Sequence, residues 1–533
     1  MRDVLFHVDK TNFGSMMIKV SGNAHWQVPC HAPTNEMGGT APLCPRVTIA
    51  TLPEGPLLDI FSFYVEDVYE YCDLDEVFGI KLLEAWCTLV HVCQGWRNLV
   101  FASPRRLNVR LVCTNGTPVR EMLNIWPTLP IVVQTQFHAR SQWEDSKYTD
   151  NIIAALEHGD RVCQIGLRNL PFHHLPLFTE ILEESFPALT RLHIDTQYQF
   201  PMLHPDSFLG GSAPSLRSLT LTGVPFPELP KLLLSTKDLV ELCLSNVPHS
   251  GYISPEAMVT CLSSLTSLEK FCLAFASPES RLDGSSRRLP SLARVDLPNL
   301  AHVELRGVND YVEDLVARIN VPLLTYIMIS FFDDPPFVIS QFDQLIGRVE
   351  NFKVLHQARV KLDGRGARAL FGLSADPTDG TTLGFSISCT EFEWDFSSLE
   401  TLSNLSASPF RLSSFERLDL WNGYAPPEYW DAVMQKTQWL GFFQPFTAVK
   451  DLYLEDELAI PIARSLRQLT GKRATEVLPA LRNIFLKRGI VYHEEDPEVF
   501  PGKLPLEVVL QVIGPFIAAR RLSGCPVAVQ FLN

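Results

Sequence analysis

Apolar residues recur through most of this chain in one register: two positions two residues apart, with a third placed three residues earlier. The register reads Val162-Ile165-Leu167, Leu189-Leu192-Ile194, Leu216-Leu219-Leu221, Leu239-Leu242-Leu244 and Leu268-Phe271-Leu273. It continues as Leu300-Val303-Leu305, Leu324-Ile327-Ile329 and Val349-Phe352-Val354, and returns at Phe415-Leu418-Leu420, Val449-Leu452-Leu454 and Leu481-Ile484-Leu486. The period-two part predicts a short strand with one face inward, because successive strand side chains point to opposite sides. Between strands the spacing changes. Phe178, Ile181 and Leu182 stand at i, i+3 and i+4, the step of one helix face.

The first eight registers begin 23 to 32 residues apart, which straddles the ~20–29-residue period of leucine-rich repeats. One strand and one helical arc cannot bury their apolar side alone, whereas stacked repeats share one core and one sheet. The expected fold is α/β: an irregular leucine-rich-repeat solenoid, a horseshoe with a parallel sheet, over residues 161–498. No fixed asparagine accompanies the register, so its arcs are expected to be irregular. Two polar stretches, 276–290 and 363–382, interrupt the array as candidate binding loops or plain surface insertions. Phe385-Ser386-Ile387 alternates as a further strand, and Phe392, Trp394 and Phe396 suit core or cap packing.

Ahead of the repeats the period is helical. Leu57, Ile60, Phe61 and Tyr64 share one face, with Pro56 tolerated in the first turn. Trp86, Leu89, Val90, Cys93, Trp96 and Val100 follow the same step. Two such short helices must pack on each other and on a partner, so residues 51–112 are expected to form a small all-α unit. Residues 1–50, with Pro29, Pro33, Gly38, Gly39, Pro42 and Pro45, read as a poorly ordered leader. Residues 113–160 read as a linker or cap, with helical turns at 119–126 and 151–158 and a strand at Ile131-Val132-Val133. In 499–533 the spacing from Leu504 to Leu522 predicts a capping helix before a tail, with Arg520 and Arg521 favoured at its C-terminal dipole.

A net charge of -15 argues against a nucleic-acid surface, and Arg281, Arg287 and Arg288 read as a solvated loop. The twelve cysteines show no CxxC. Cys163, Cys243, Cys272 and Cys389 fall in apolar runs, where a thiol acts as a small buried hydrophobe, as in a reducing compartment. With no signal-peptide core and no run of about 20 apolar residues, no membrane association is expected and the location is cytoplasmic, nuclear or both. No P-loop, HExxH, GxSxG or zinc spacing occurs, and His173-His174 and His493-Glu494-Glu495-Asp496 read as surface. The expectation is a non-enzyme without cofactor or metal. Charged residues at positions between the repeat leucines, among them Arg191, Arg217, Glu241, Glu304, Lys450 and Asp451, suit a face that reads a protein partner by charge.

The N-terminal helices add a resemblance. Leu52-Pro53 with Leu57, Ile60 and Phe61, followed by Val92, Cys93, Trp96 and Leu99, resembles an F-box. With the repeats downstream, the chain from about 50 onward is similar to the F-box-like leucine-rich-repeat proteins of mushroom-forming fungi. That resemblance implies a substrate-recognition subunit of an SCF (cullin–RING) ubiquitin ligase. The helices would dock a Skp-family adaptor, and through it a cullin, while the repeats hold a protein substrate. It further implies that Leu52, Pro53, Leu57, Ile60, Phe61, Val92, Cys93, Trp96 and Leu99 make or support the adaptor interface. Gly55 and Pro56 stand where the family has an acidic and an aliphatic residue, and about 20 residues separate Val65 from Trp86. The alternative is a repeat scaffold with a degenerate F-box and no ubiquitin role.

Overall fold

The computed structural model describes residues 52–70, 86–104, 106–114, 117–126, 128–136, 145–171, 174–196, 208–225, 229–278, 294–332, 340–354, 357–363, 366–372, 384–389, 412–423, 436–487 and 506–532. The expected leader 1–50, His173, the three arginines at 281, 287 and 288, the rings at 392, 394 and 396, and residues 493–496 lie outside them. The chain divides into two compact units, Met1–Pro53 and Glu54–Asn533.

The second unit is built on one 16-stranded sheet. Its first strands are β1 (Leu111–Cys113), β2 (Ile131–Gln136), β3 (Val162–Arg168), β4 (Arg191–Asp195), β5 (Ser218–Thr222), β6 (Glu241–Val247) and β7 (Lys270–Phe275). Then follow β8 (Val295–Asp296), β9 (His302–Gly307), β10 (Ile319–Asn320), β11 (Tyr326–Phe331), β12 (Gln357–Asp363) and β13 (Gly366–Gly372). The last are β14 (Gly384–Cys389), β15 (Arg417–Gly423), β16 (Asp451–Glu455), β17 (Asn483–Lys487) and β18 (Ala528–Leu532). Strands β8 and β10 pair separately, in parallel.

The repeat register does what its spacing predicts. Leu192 pairs with Leu219, Leu219 with Leu242, Leu242 with Phe271, Phe271 with Val303 and Val303 with Ile327, all in parallel. The neighbouring row runs Ile194, Leu221, Leu244, Leu273, Leu305, Ile329. Every side chain in these two rows is buried, so the rows form the continuous core that no single repeat could close. Backbone bonds repeat with the same step. The residue before each strand donates to its equivalent in the preceding repeat: Thr190 to Cys163, Arg217 to Thr190, Val240 to Arg217, Glu269 to Val240 and Ala301 to Glu269. These bonds satisfy the N–H groups at the entry to each strand.

The arcs differ in length and regularity. Asn309–Ala317 packs between helices Pro255–Leu262 and Ser340–Arg348, burying Tyr311, Val312, Leu315 and Val316. Pro255 opens its helix at the first position, and Ser254 Oγ accepts from the Ala257 N–H at 3.2 Å.

The structure departs from the sequence expectations in five places. Strand β1 carries the sheet back into the end of the expected all-α unit, the strand expected at 131–133 forms as β2 and joins the same sheet, and β18 extends it into the expected tail. Leu111, Val112 and Cys113 are all buried, so β1 has no alternation to reveal it. Val349-Phe352-Val354 carries the register but lies on a 3-10 turn, Glu350–Val354. The polar stretch 363–382 contains β13. That strand runs antiparallel to both neighbours, so the order passes β11-β14-β13-β12-β15. Finally, the C-terminal helix Leu506–Leu522 forms with Arg520 in its last turn as expected, but the helix dipole is not that residue's main partner. Arg520 is fully buried, donating to the carbonyls of Ala474, Pro479 and Leu481 at 3.3, 3.2 and 2.8 Å.

Candidate functional site

Residues between the two core rows project to the opposite, polar face of the sheet. One row there runs Gly166, His193, Thr220, Cys243, Cys272, Glu304 and Met328. Cys243 and Cys272 therefore lie on this face, not in the core where their apolar surroundings in sequence suggested. Cys272 is still buried, covered by its neighbours, whereas Cys243 is half-buried. A hydrogen bond from the Cys272 thiol holds Cys243 below its ordinary pKa. The same bond, and then burial, pushes Cys272 well up. On β9, His302 Nε2 and Glu304 Oε1 are 2.7 Å apart, and the imidazole stacks on Tyr326 with centroids 4.3 Å apart. The ligand atoms of Cys272, His302 and Glu304 lie within 4.8 Å of one another. Sequence reasoning missed this grouping because its members stand about 30 residues apart. The signal was there, in residues at the same place relative to successive repeat leucines.

A second cluster occupies the polar face at the C-terminal end. Asp419 is fully buried there and ringed by donors. Arg417 grips it with two nitrogens, at 2.9 and 3.1 Å, and Gln357 donates at 3.3 Å. Arg359 and Lys487 approach to 3.6 and 4.0 Å. Burial disfavours the charged form of Arg417, but the bonds and charge of Asp419 outweigh it and raise its pKa. Burial lowers that of Lys487. The cations also lie over rings: Arg359 over Trp421 at 4.7 Å, Arg417 over Tyr453 at 3.9 Å, and Lys487 over Tyr453 at 5.0 Å. Tyr453 stacks on Phe485 at 4.4 Å. Three cations thus face one carboxylate within a ledge of aromatic rings. Such a surface can take an acidic or aromatic group from a protein partner.

The N-terminal helices form a third surface. Helix Glu54–Glu70 and helix Gln94–Ala102 meet through Phe61 and Trp96, whose ring centroids are 4.6 Å apart. Of the nine expected adaptor residues, Leu57 and Phe61 are buried, Leu99 and Trp96 half-buried, and Ile60, Val92 and Cys93 exposed. Leu52 is half-buried and Pro53 exposed, in the first unit. Cys93 also caps its helix, its sulfur accepting from the Trp96 N–H at 3.4 Å. Phe63, which sequence reasoning left out of the interface, is 71 % exposed, with Val92 at 55 %, Ile60 at 43 % and Tyr64 at 37 %. On the other side, buried Trp86 meets Phe101 and Trp126 edge-on and donates its indole N–H to the Arg110 carbonyl at 3.0 Å. Asp59 pairs with Arg106. This helical layer is thereby anchored to the start of the sheet.

Among the described residues no helix is long and apolar enough to cross a membrane. No family model matches the sequence, and no curated protein matches it. Among solved structures, the chain is similar to the leucine-rich repeat-containing protein LegL7 from Legionella pneumophila, at 11 % identity and a TM-score of 0.27. The alignment covers 76 % of this chain and 96 % of that one. The repeat character of this chain therefore rests on its own strand register: a mixed α/β chain with a large, mainly parallel sheet.

Proposed function

We propose that this protein is a non-catalytic, protein-binding repeat scaffold that serves as a substrate receptor of an SCF-type ubiquitin ligase. Its N-terminal helices dock a Skp-family adaptor, which links it to a cullin, and the polar face of the sheet holds a protein substrate. The observation that carries the docking half is the exposure of Ile60, Phe63, Tyr64 and Val92 on a unit that buries Leu57, Leu58, Phe61, Val65, Trp86 and Val100. Large apolar side chains left in solvent mark interaction surfaces, and helical partners read such side chains at helical spacing. The substrate half rests on the Arg359, Arg417, Trp421, Tyr453 and Lys487 ledge, rich in the residue types that dominate binding hot spots.

The test uses the full chain immobilised and a purified Skp-family adaptor as analyte. Wild type should bind at micromolar concentration or tighter, and Phe63→Asp and Val92→Asp should each weaken binding at least tenfold. Neither should change the circular dichroism, since both side chains are largely in water. No binding by the wild type would overturn the ligase role.

The packing of Trp86 on Trp126 favours a second reading, in which the helices only cap the sheet and the scaffold has no ubiquitin role. In that case the same substitutions leave every partner interaction untouched.

A further inference from the structure

We propose that Cys272, His302 and Glu304, with Cys243 as fourth ligand, hold one zinc ion on the polar face of the sheet. The sheet register builds the site. Cys243, Cys272 and Glu304 occupy one row on β6, β7 and β9, and His302 lies two residues before Glu304 on the same face. Adjacent strands run about 4.8 Å apart, so a row of ligand side chains on neighbouring strands is already near coordination distance. The sulfur, imidazole and carboxylate atoms of Cys272, His302 and Glu304 lie within 4.8 Å of one another. Around tetrahedral zinc, bond lengths of about 2.0–2.3 Å separate ligand atoms by roughly 3.3–3.8 Å. Inward movements of about 1 Å close the set around an ion. Cys243 completes it from the neighbouring strand, where it pairs in register with Cys272 on the same face.

The donor chemistry selects the metal. Calcium and magnesium require all-oxygen ligands, whereas two sulfurs, one imidazole and one carboxylate in four-coordinate reach suit zinc. Four protein ligands leave no open position, which makes the site structural and not catalytic. On binding, each thiol releases its proton to water, and the His302–Glu304 hydrogen bond is exchanged for two metal bonds. Two thiolates and a carboxylate against the dication leave one negative charge. Lys270, paired in register with both Glu241 and His302, lies beside it. Stacking on Tyr326 holds the imidazole plane. The ion would tie three consecutive repeats together across the face that meets a partner.

The test takes the reduced full chain, stripped of metal with a chelator and reloaded with cobalt(II), then zinc(II). One equivalent should bind, with the charge-transfer absorption of thiolate-bound cobalt and the strong visible bands of a tetrahedral site, both abolished by zinc. Cys272→Ser and His302→Ala should each weaken binding at least tenfold and remove the charge-transfer absorption or alter its energy. His302 is about one-third exposed, so that variant retains the fold, which circular dichroism checks. Absence of the absorption overturns the proposal. So does an absorption unchanged in the Cys272→Ser/His302→Ala double variant, which would assign the metal to other cysteines.

Discussion

Replacing Asp419 by Asn changes one atom, yet it removes the buried negative charge at the centre of a basic cluster. Arg417, Arg359 and Lys487 stand 2.9, 3.6 and 4.0 Å from its oxygens. At an effective dielectric of about 20, each contact carries roughly 4–6 kcal/mol of gross attraction. Desolvation of a carboxylate with no exposure offsets most of that. The net loss on breaking such a buried pair is about 3–5 kcal/mol. The location gives the loss a signature. Asp419 on β15 pairs in register with Arg359 on β12 and is also bonded to Gln357, so the network stitches two non-consecutive strands. Since repeat arrays unfold through neighbour interfaces, urea melts of Asp419→Asn should show an early transition. Hydrogen exchange should lose protection first in β12 and β15. The double variant Arg417→Met/Asp419→Leu should recover most of the loss. Its remaining cations, Arg359 and Lys487, are 17 % and 27 % exposed and can turn to water. A loss below about 1 kcal/mol in the single variant, or protection lost evenly along the sheet, would refute this account.

Three further outcomes are expected. Arg520→Met strands the carbonyls of Ala474, Pro479 and Leu481 while relieving a buried charge; a net loss of about 3 kcal/mol should appear as selective proteolysis of 506–532. Gly223 has φ +72°, and a Cβ there would lie 2.6 Å from Thr196 Oγ1 and 2.8 Å from its carbonyl oxygen. Gly223→Ala should therefore destabilise by about 2 kcal/mol or more, beyond Gly211→Ala, where φ is +75° but the space is open. Burial, and then Arg168, hold His193 below its ordinary pKa of 6.5. The unfolded chain takes up that proton first, so the stability His193 contributes is complete above about 6.5 and is lost as pH falls through its folded value. The stability difference between wild type and His193→Gln should fall between pH 7 and 5, and a difference that rises on acidification would contradict the sign.

The core was legible where each repeat repeats its physics. Leu219, Leu242 and Phe271 could be placed because strand alternation and a near-constant step are both local signals. The reversed strand β13 was not, since Gly366-Ala-Arg-Ala-Leu-Phe-Gly372 opens in a polar run and its direction depends on which strands lie beside it. Val349-Phe352-Val354 misled for the complementary reason: its apolar spacing, with Val349 and Phe352 buried, fits a 3-10 turn as well as a strand. At the candidate sites, Glu304 and Lys450 were visible as charges on a strand. The convergence of Cys272 with His302, or of Arg359 with Asp419, requires the cross-strand register, which no window of one sequence contains. The exposed Phe63 lies one position off the stripe of Ile60 and Tyr64, so helical spacing alone assigned it no role.

The reversal at β12–β14 also bears on how the chain is made. Strands β1 to β7, then β9 and β11, can join the sheet in the order they leave the ribosome, each meeting the edge just laid down. β12 cannot, because the place beside β11 belongs to β14, which is synthesised later. Its first available partner is β13, two residues beyond its own end, and β13 in turn recruits β14. The trio can therefore close on itself as a meander and dock last strand first. Until residues 384–389 emerge, β11 keeps an open edge, the kind of surface on which chains mispair. A nascent chain paused near residue 380 is where this protein should be most dependent on chaperones.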